Sequence, residues 1–355
     1  MRLAAPSFWA NKRVLITGHT GFKGAWLSLW LHQMRAEVSG VALAPMPGPS
    51  LFDILGIDDC VKSHITDLRN ADDIQHVVSC LKPEIVIHMG AQSLVRPSLL
   101  DPETTYATNV LGTGHLLDAC LRVPSIKAVL VVTSDKVYEN TGTGRPFVEC
   151  DPLGGKDPYS ASKAMCELLV TSYRQSFFDD RDLPLVTARA GNVIGGGDFS
   201  VDRLVPDCVR AAQASTPVTL RNPHAVRPWQ HVLDCLNGYL LFAEDILNGA
   251  SMPHALNFGP APEDQMSVLE VTQEISAIIG CPLIIEEPEQ NSKEASHLVV
   301  DASLARETLS WNSIWSRQIA LQETAKWYRA WLNQEDILQV SLRQLQEFTS
   351  IRTPH

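Results

Sequence analysis

The feature that most constrains this chain lies near its start, in Thr17-Gly18-His19-Thr20-Gly21-Phe22-Lys23-Gly24. It joins the apolar run Arg13–Thr17, which reads as a buried strand, to residues 22–34, which read as a helix. In that setting the first glycine permits a tight turn and the second lets backbone approach a pyrophosphate. The third lets the helix lie close against the strand. Free amides at the helix start, reinforced by the helix dipole, favour phosphate. A glycine triplet alone is weak, but this context predicts a dinucleotide cradle built from Gly18, Thr20, Gly21, Phe22, Lys23 and Gly24.

The rest of the first half repeats the alternation. Strand-like runs at 38–42, 85–88, 128–133 and 185–188 are separated by helix-like stretches at 72–81, 104–121 and 160–177. Strands joined through helices require crossover connections, hence a parallel sheet covered on both faces. The expected fold is α/β: a Rossmann-type doubly wound parallel sheet with a smaller, partly interleaved α/β substrate domain. The expected boundaries are 1–190 plus about 229–258 for the dinucleotide domain, and 191–228 with 259–355 for the other. Ala255–Phe258 is expected to return to the first sheet, and Trp311, Trp315 and Trp327 to anchor packing.

Composition narrows the function classes. The 355 residues are 45% hydrophobic and 19% charged, which suits a folded enzyme and excludes a disordered or collagen-like chain. With 29 basic and 40 acidic side chains, the net charge of −11 argues against a nucleic-acid partner. No window is long and apolar enough for a membrane span, and the N-terminus lacks a secretory pattern. The eight cysteines are never closer than sixteen residues, so a zinc site is disfavoured and a reducing, cytoplasmic setting is expected.

Two further segments carry chemistry. In Tyr159-Ser160-Ala161-Ser162-Lys163 the spacing of four places Tyr159 and Lys163 one helical turn apart. A phenol is a poor base at neutral pH, but a neighbouring ammonium favours the phenolate, which then takes a proton from a hydroxyl. In Thr133-Ser134-Asp135-Lys136, at the end of a buried strand, Ser134 suits a hydrogen bond to the same hydroxyl. Asp135 is a further acid that a simple dehydrogenase or epimerase does not need; it suggests protonation of a departing hydroxyl. A plain structural Asp–Lys loop is the competing reading.

The cofactor reading is NAD. No acidic residue ends the second strand, but no Lys or Arg lies between 40 and 61 to receive the extra phosphate of NADP. Asp67 and Leu68 follow a further candidate strand between the run at 38–42 and the helix-like stretch at 72–81, where a carboxylate can meet the adenine.

Together with Arg189-Ala190-Gly191-Asn192 and Arg227-Pro228-Trp229-Gln230-His231-Val232, these motifs resemble the CDP-D-glucose 4,6-dehydratases. These are extended short-chain dehydrogenase/reductases, and the resemblance runs from about residue 8 to 331. It implies oxidation of CDP-D-glucose at C4 with bound NAD, loss of water across C5 and C6, and hydride return to C6. By position Tyr159 becomes the C4 base, Lys163 its tuner, Ser134 its partner and Asp135 the acid at O6. Lys136 stands where dTDP-sugar relatives carry Glu as the C5 base, so it either removes that proton or stabilises the enolate. The resemblance also implies cofactor contacts from Met89, Gly90 and Ala91, and substrate contacts from Asn192, Arg203, Leu204, Arg221 and Arg227. It implies a homodimer through 104–121 and 160–177, and no metal, although His224 and His231 invite one. A dehydratase for a dTDP- or GDP-hexose, an epimerase of the same fold, and a catalytically silent cofactor-binding scaffold remain the alternatives.

Overall fold

The computed structural model describes residues 1–142, 144–220, 222–261, 264, 266–285 and 298–351. Seven strands form one parallel sheet: β1 Arg13–Thr17, β2 Glu37–Ala42, β3 Lys62–Ile65, β4 Ile85–His88, β5 Ala128–Val132, β6 Leu185–Ala190 and β7 Ala255–Phe258. Their order across the sheet is β3-β2-β1-β4-β5-β6-β7. This is the doubly wound order, whose crevice opens where the chain reverses beside β1, at the carboxyl ends of the strands.

Strand pleating explains why the core strands read as solid apolar runs. Val14 and Ile16 enter the core on one face of the sheet while Leu15 enters the core on the other. Ile85 and Ile87 likewise oppose Val86. One face is covered by α1 Phe22–Gln33, in which every residue from Gly24 to Leu31 is buried. The opposite face is covered by α2 Ala71–Leu81, α3 Gly112–Arg122 and α4 Pro158–Tyr173.

The stretch 104–121, expected as one helix, is divided. A helix over Pro102–Tyr106 passes through a π-helical turn, Ala107–Leu111, into α3. The Asn109 carbonyl there accepts from the Thr113 hydroxyl at 2.6 Å and the Cys166 thiol at 2.9 Å. Those side-chain donors accommodate the widened turn. A second π turn, Arg174–Phe178, follows α4.

Beyond the sheet lie α5 Leu204–Ala214, α7 Val268–Ile279, α8 Arg317–Leu332 and α9 Ile337–Ser350, while α6 Val232–Leu247 lies against β5 and α1 on the first face of the sheet. Short parallel pairs, Val193–Ile194 with Gln230–His231 and Val218–Leu220 with Leu283–Ile285, tie this region together. Trp311, Trp315 and Trp327 are all buried there. The fold class is therefore as expected, with β7 inserted beside β6. All eight cysteines are free, and no described helix is long and apolar enough to cross a membrane.

Candidate active site

The glycine turn is built as its sequence requires. Gly18 has φ +77°, and a Cβ there would lie 2.9 Å from the Gly90 backbone. A Cβ on Gly24 would lie 2.0 Å from the Gly18 carbonyl, so α1 is seated directly on the turn. Gly21 differs: it is exposed, caps α1, and a Cβ there would meet only the Gly18 oxygen at 3.4 Å. Protein packing does not demand that glycine, whereas close approach of a ligand to the backbone does. Phe22 packs beneath Gly195, Thr20 donates to the Leu43 carbonyl at 2.9 Å, and Lys23 points to the Tyr239 hydroxyl at 3.4 Å.

The end of β4 closes the cradle. The Thr17 hydroxyl accepts from the amides of Met89 and Gly90 at 3.1 and 2.9 Å, so its own proton goes to His88 Nδ1 at 2.6 Å. His88 Nε2 then donates to Thr113 Oγ1 at 2.8 Å. Burial, then Lys163, holds His88 down to about 3, so it is a neutral core histidine. Ala91 follows on the half-buried loop. Leu68 is buried against Gly90 and Gly112, while Asp67 is held bidentately by Arg69 at 2.6–3.1 Å. The Arg69 hydrogen bond holds the Asp67 carboxyl below the usual carboxylate range.

β5 delivers Ser134 and Asp135 into the carboxyl-end crevice, where both are buried. Ser134 caps a single 3-10 turn, accepting from the Lys136 amide at 3.2 Å and donating to Asp135 Oδ1 at 3.1 Å. The Lys136 ammonium donates to the same Oδ1 at 3.2 Å. Asp135 Oδ2 is buried without a partner among the described residues. It faces Gly191, where a Cβ would lie 2.9 Å from Oδ2 and equally close to the Pro228 ring. The segments around 134, 191 and 228, distant in sequence, therefore converge on one carboxylate.

Helix α4 presents the second pair. Asp157 caps it, accepting from the Ser160 amide at 2.9 Å, and Pro158 occupies the first turn, where its missing N–H costs nothing. Tyr159 and Lys163 are both buried, and the Lys163 ammonium donates to the Val132 carbonyl at 3.1 Å, which ties α4 to the end of β5. The Tyr159 amide donates to Ser98 Oγ at 3.1 Å. Asn109 bonds Ser162 at 2.8 Å and the Gln92 backbone on the other side, a purely structural clamp on the same turn.

The residues expected at the diphosphate lie further out. The Asn192 carbonyl accepts from the Gln230 amide at 3.2 Å. Arg203 precedes α5, which Leu204 opens without a side-chain cap, and Arg203 pairs with Asp198 at 3.0 Å. Arg227 donates to the Val226 carbonyl at 2.9 Å; Arg221 lies outside the described residues. His231 is buried with its ring 4.5 Å from that of Trp315, a packing role. Sequence reasoning missed Ser98, Gly191 as the neighbour of Asp135, and Tyr239. Tyr239 sits in the apolar run of α6, which carries no sign of a polar contact.

A doubly wound sheet with a glycine cradle on its first helix and a buried Ser/Tyr/Lys set at the carboxyl ends defines the short-chain dehydrogenase/reductase class. Residues 14–259 match the NAD dependent epimerase/dehydratase family, and the chain belongs to that family. It is 43% identical over 354 residues to the CDP-glucose 4,6-dehydratase of Salmonella typhimurium, covering 98% of this chain and 99% of that protein. It resembles the structure of a dTDP-glucose 4,6-dehydratase from Bacillus anthracis in complex with NAD, at TM-score 0.76 and 23% identity, covering 92% and 99% of the two chains. It also resembles a UDP-glucose-4-epimerase from Stenotrophomonas maltophila, at TM-score 0.80 and 22% identity, covering 91% and 100%.

Proposed function

We propose that this chain is an NAD-dependent hydro-lyase that converts CDP-D-glucose to CDP-4-keto-6-deoxy-D-glucose. The observation that carries this reading is the buried Asp135, shared by Ser134 and Lys136 and set beside the Tyr159 helix. An epimerase has no hydroxyl to expel and no use for that acid. The near full-length similarity to the Salmonella enzyme supports both the reaction and the nucleotide.

The cofactor-binding set is Gly18, Thr20, Gly21, Phe22, Lys23, Gly24, Asp67, Leu68, Met89, Gly90, Ala91, Tyr159 and Lys163. When bound, NAD would supply the hydride acceptor for C4 of the sugar and the hydride donor for C6. Tyr159 accepts the O4 proton, with Ser134 holding O4 and the Lys163 charge favouring the phenolate. The C4 ketone acidifies C5; a proton passed from the Lys136 ammonium to Asp135 across their contact leaves the amine to take the C5 proton and the carboxylic acid to give one to O6, which leaves as water. The C5–H electron pair becomes the C5=C6 π bond, the C6–O pair leaves with the oxygen, and the Asp135–Lys136 ion pair is restored. Lys136 then returns its proton to C5. Tyr159 is left with one proton more and the Asp135–Lys136 pair with one fewer, so the cycle closes by transfer between them; Ser134, bonded to Asp135, lies on that route.

Asn192, Arg203, Leu204, Arg221 and Arg227 are the diphosphate set. The uncapped start of α5 supplies free amides there, and guanidinium groups match phosphate oxygens in pairs. The Arg203–Asp198 pair exchanges for phosphate as the substrate enters. The protein works in the cytoplasm as a homodimer. Leu111, Met165, Leu168 and Phe177 are exposed apolar side chains along the π turns and α4, which suits a helical face shared by two copies. Incubation with CDP-, dTDP-, UDP- and GDP-hexoses tests the assignment by the alkali-induced absorbance of a 4-keto-6-deoxy sugar. Product from the CDP sugar is expected; product only from another nucleotide discards the specificity, and none from any discards the dehydratase reading.

A further inference from the structure

A second pocket, largely apolar but with an arginine in its wall, lies at the opposite end of the sheet from Tyr159, where β6 and β7 begin. It is a cavity of about 120 Å³ lined by Arg174, Asp179, Leu185, Ile246, Met252 and His254. Arg174 opens the second π turn, directly after α4, the helix that carries Tyr159 in its first turn. It is only 8% exposed, and its guanidinium makes no hydrogen bond and no ion pair among the described residues, its nitrogens keeping only a narrow contact with solvent. A guanidinium has five donors and cannot shed its charge, so whatever enters the cavity, water or a ligand, meets donors that no protein group takes. Burial is the largest influence on Arg174 and weakens its hold on the proton, with Asp179 and Glu167 compensating only from a distance.

We infer that this cavity is a binding site for a small aliphatic monocarboxylate, held through its carboxylate by Arg174 with its alkyl part against Leu185, Ile246 and Met252. The planar carboxylate matches the guanidinium fork. The volume equals the share of about four waters, which suits a carboxylate with a two- or three-carbon tail. Asp179 and His254 are exposed at the rim. The Asp179 charge selects against a dianion such as phosphate, because a second negative charge would face it.

Thermal unfolding of the full-length protein with saturating NAD tests this, using sodium butyrate, sodium phosphate and sodium chloride at matched ionic strength. Butyrate is expected to raise Tm by about 1–3 °C over chloride, with half-saturation in the millimolar range. Phosphate should do no more than chloride. Arg174→Met and Ala250→Phe should each abolish the butyrate shift. Ala250 also lines the cavity but is exposed, so the second variant fills the site while leaving Arg174 in place and decides the matter should Arg174→Met not fold. No shift in the wild type, an equal shift in Ala250→Phe, or a larger shift from phosphate overturns the inference. Because the readout is Tm, it stands or falls independently of turnover.

Discussion

Among individual residues, the proposed mechanism divides the chemistry between Asp135 and Tyr159, and their variants separate the steps. Tyr159→Phe keeps the buried ring and the amide bond to Ser98 but removes the proton acceptor. Turnover should fall by about 10²–10⁴-fold with NAD affinity nearly unchanged, read by steady-state kinetics and by titration of the cofactor. Asp135→Asn keeps the shape of a buried side chain that contacts Ser134 and Lys136 but cannot give a proton to O6. A single-turnover experiment should show normal NADH formation followed by slowed loss of water; slowed NADH formation with normal elimination would contradict the acid assignment. Both residues were legible in the sequence, since they sit in short motifs with strict spacing. Their surroundings were not. That the unpaired Oδ2 faces Gly191 depends on the packing of three distant segments, and no spacing within any one of them encodes it. The Arg203–Asp198 and Asp67–Arg69 pairs were equally invisible, because an exposed Arg has many acidic neighbours within reach.

For the secondary-structure elements, the glycine turn and α1 form one unit. Gly24→Ala would place a methyl 2.0 Å from the Gly18 carbonyl, so the helix must lift from the strand. The expected result is loss of NAD binding and destabilisation by about 1–3 kcal/mol, read by cofactor titration and urea unfolding. Six of the seven sheet strands were legible as apolar-rich runs of four to six residues bounded by a helix or turn, whereas β3, Lys-Ser-His-Ile on the sheet edge, shows no such run. Helix α6 was not, for a related reason: buried on nearly every side, it has no polar stripe to mark a period of 3.6. The π turns were hidden as well, since the thiol and hydroxyl that bond the Asn109 carbonyl come partly from another helix. The exposed face along α4 gives its own prediction. Leu168→Glu should convert a dimer to a monomer in light scattering; an unchanged mass would place the interface elsewhere.

Over the whole molecule, several ionisable groups are buried away from any substrate, and they set the response to pH. Asp234, on α6, accepts from the Ile314 and Trp315 amides, yet burial pushes its carboxyl up from 3.8 to about 8. Between those values the folded protein holds a proton that the unfolded chain releases, so this group lowers stability as pH rises toward 8. Burial brings His88 and His231 down to about 3 and His19 to about 4, so these make the opposite contribution: stability falls as pH drops below 6.5 toward those values. Asp234→Asn should therefore be stabilised relative to wild type at pH 8 and much less so at pH 4, measured by thermal unfolding across that range. A constant difference would show that its carboxyl is ionised in the folded state throughout.

The central claim is that oxidation at C4, loss of water and reduction at C6 occur on one bound sugar. CDP-D-glucose carrying deuterium at C4 tests it directly, with the product analysed by NMR. The label should appear at C6 of the 4-keto-6-deoxy sugar, transferred within the same molecule when labelled and unlabelled substrates are mixed. A product without deuterium at C6, or scrambling between molecules, would contradict the account. So would recovery of a CDP-hexose with its C6 hydroxyl retained and its C4 configuration inverted.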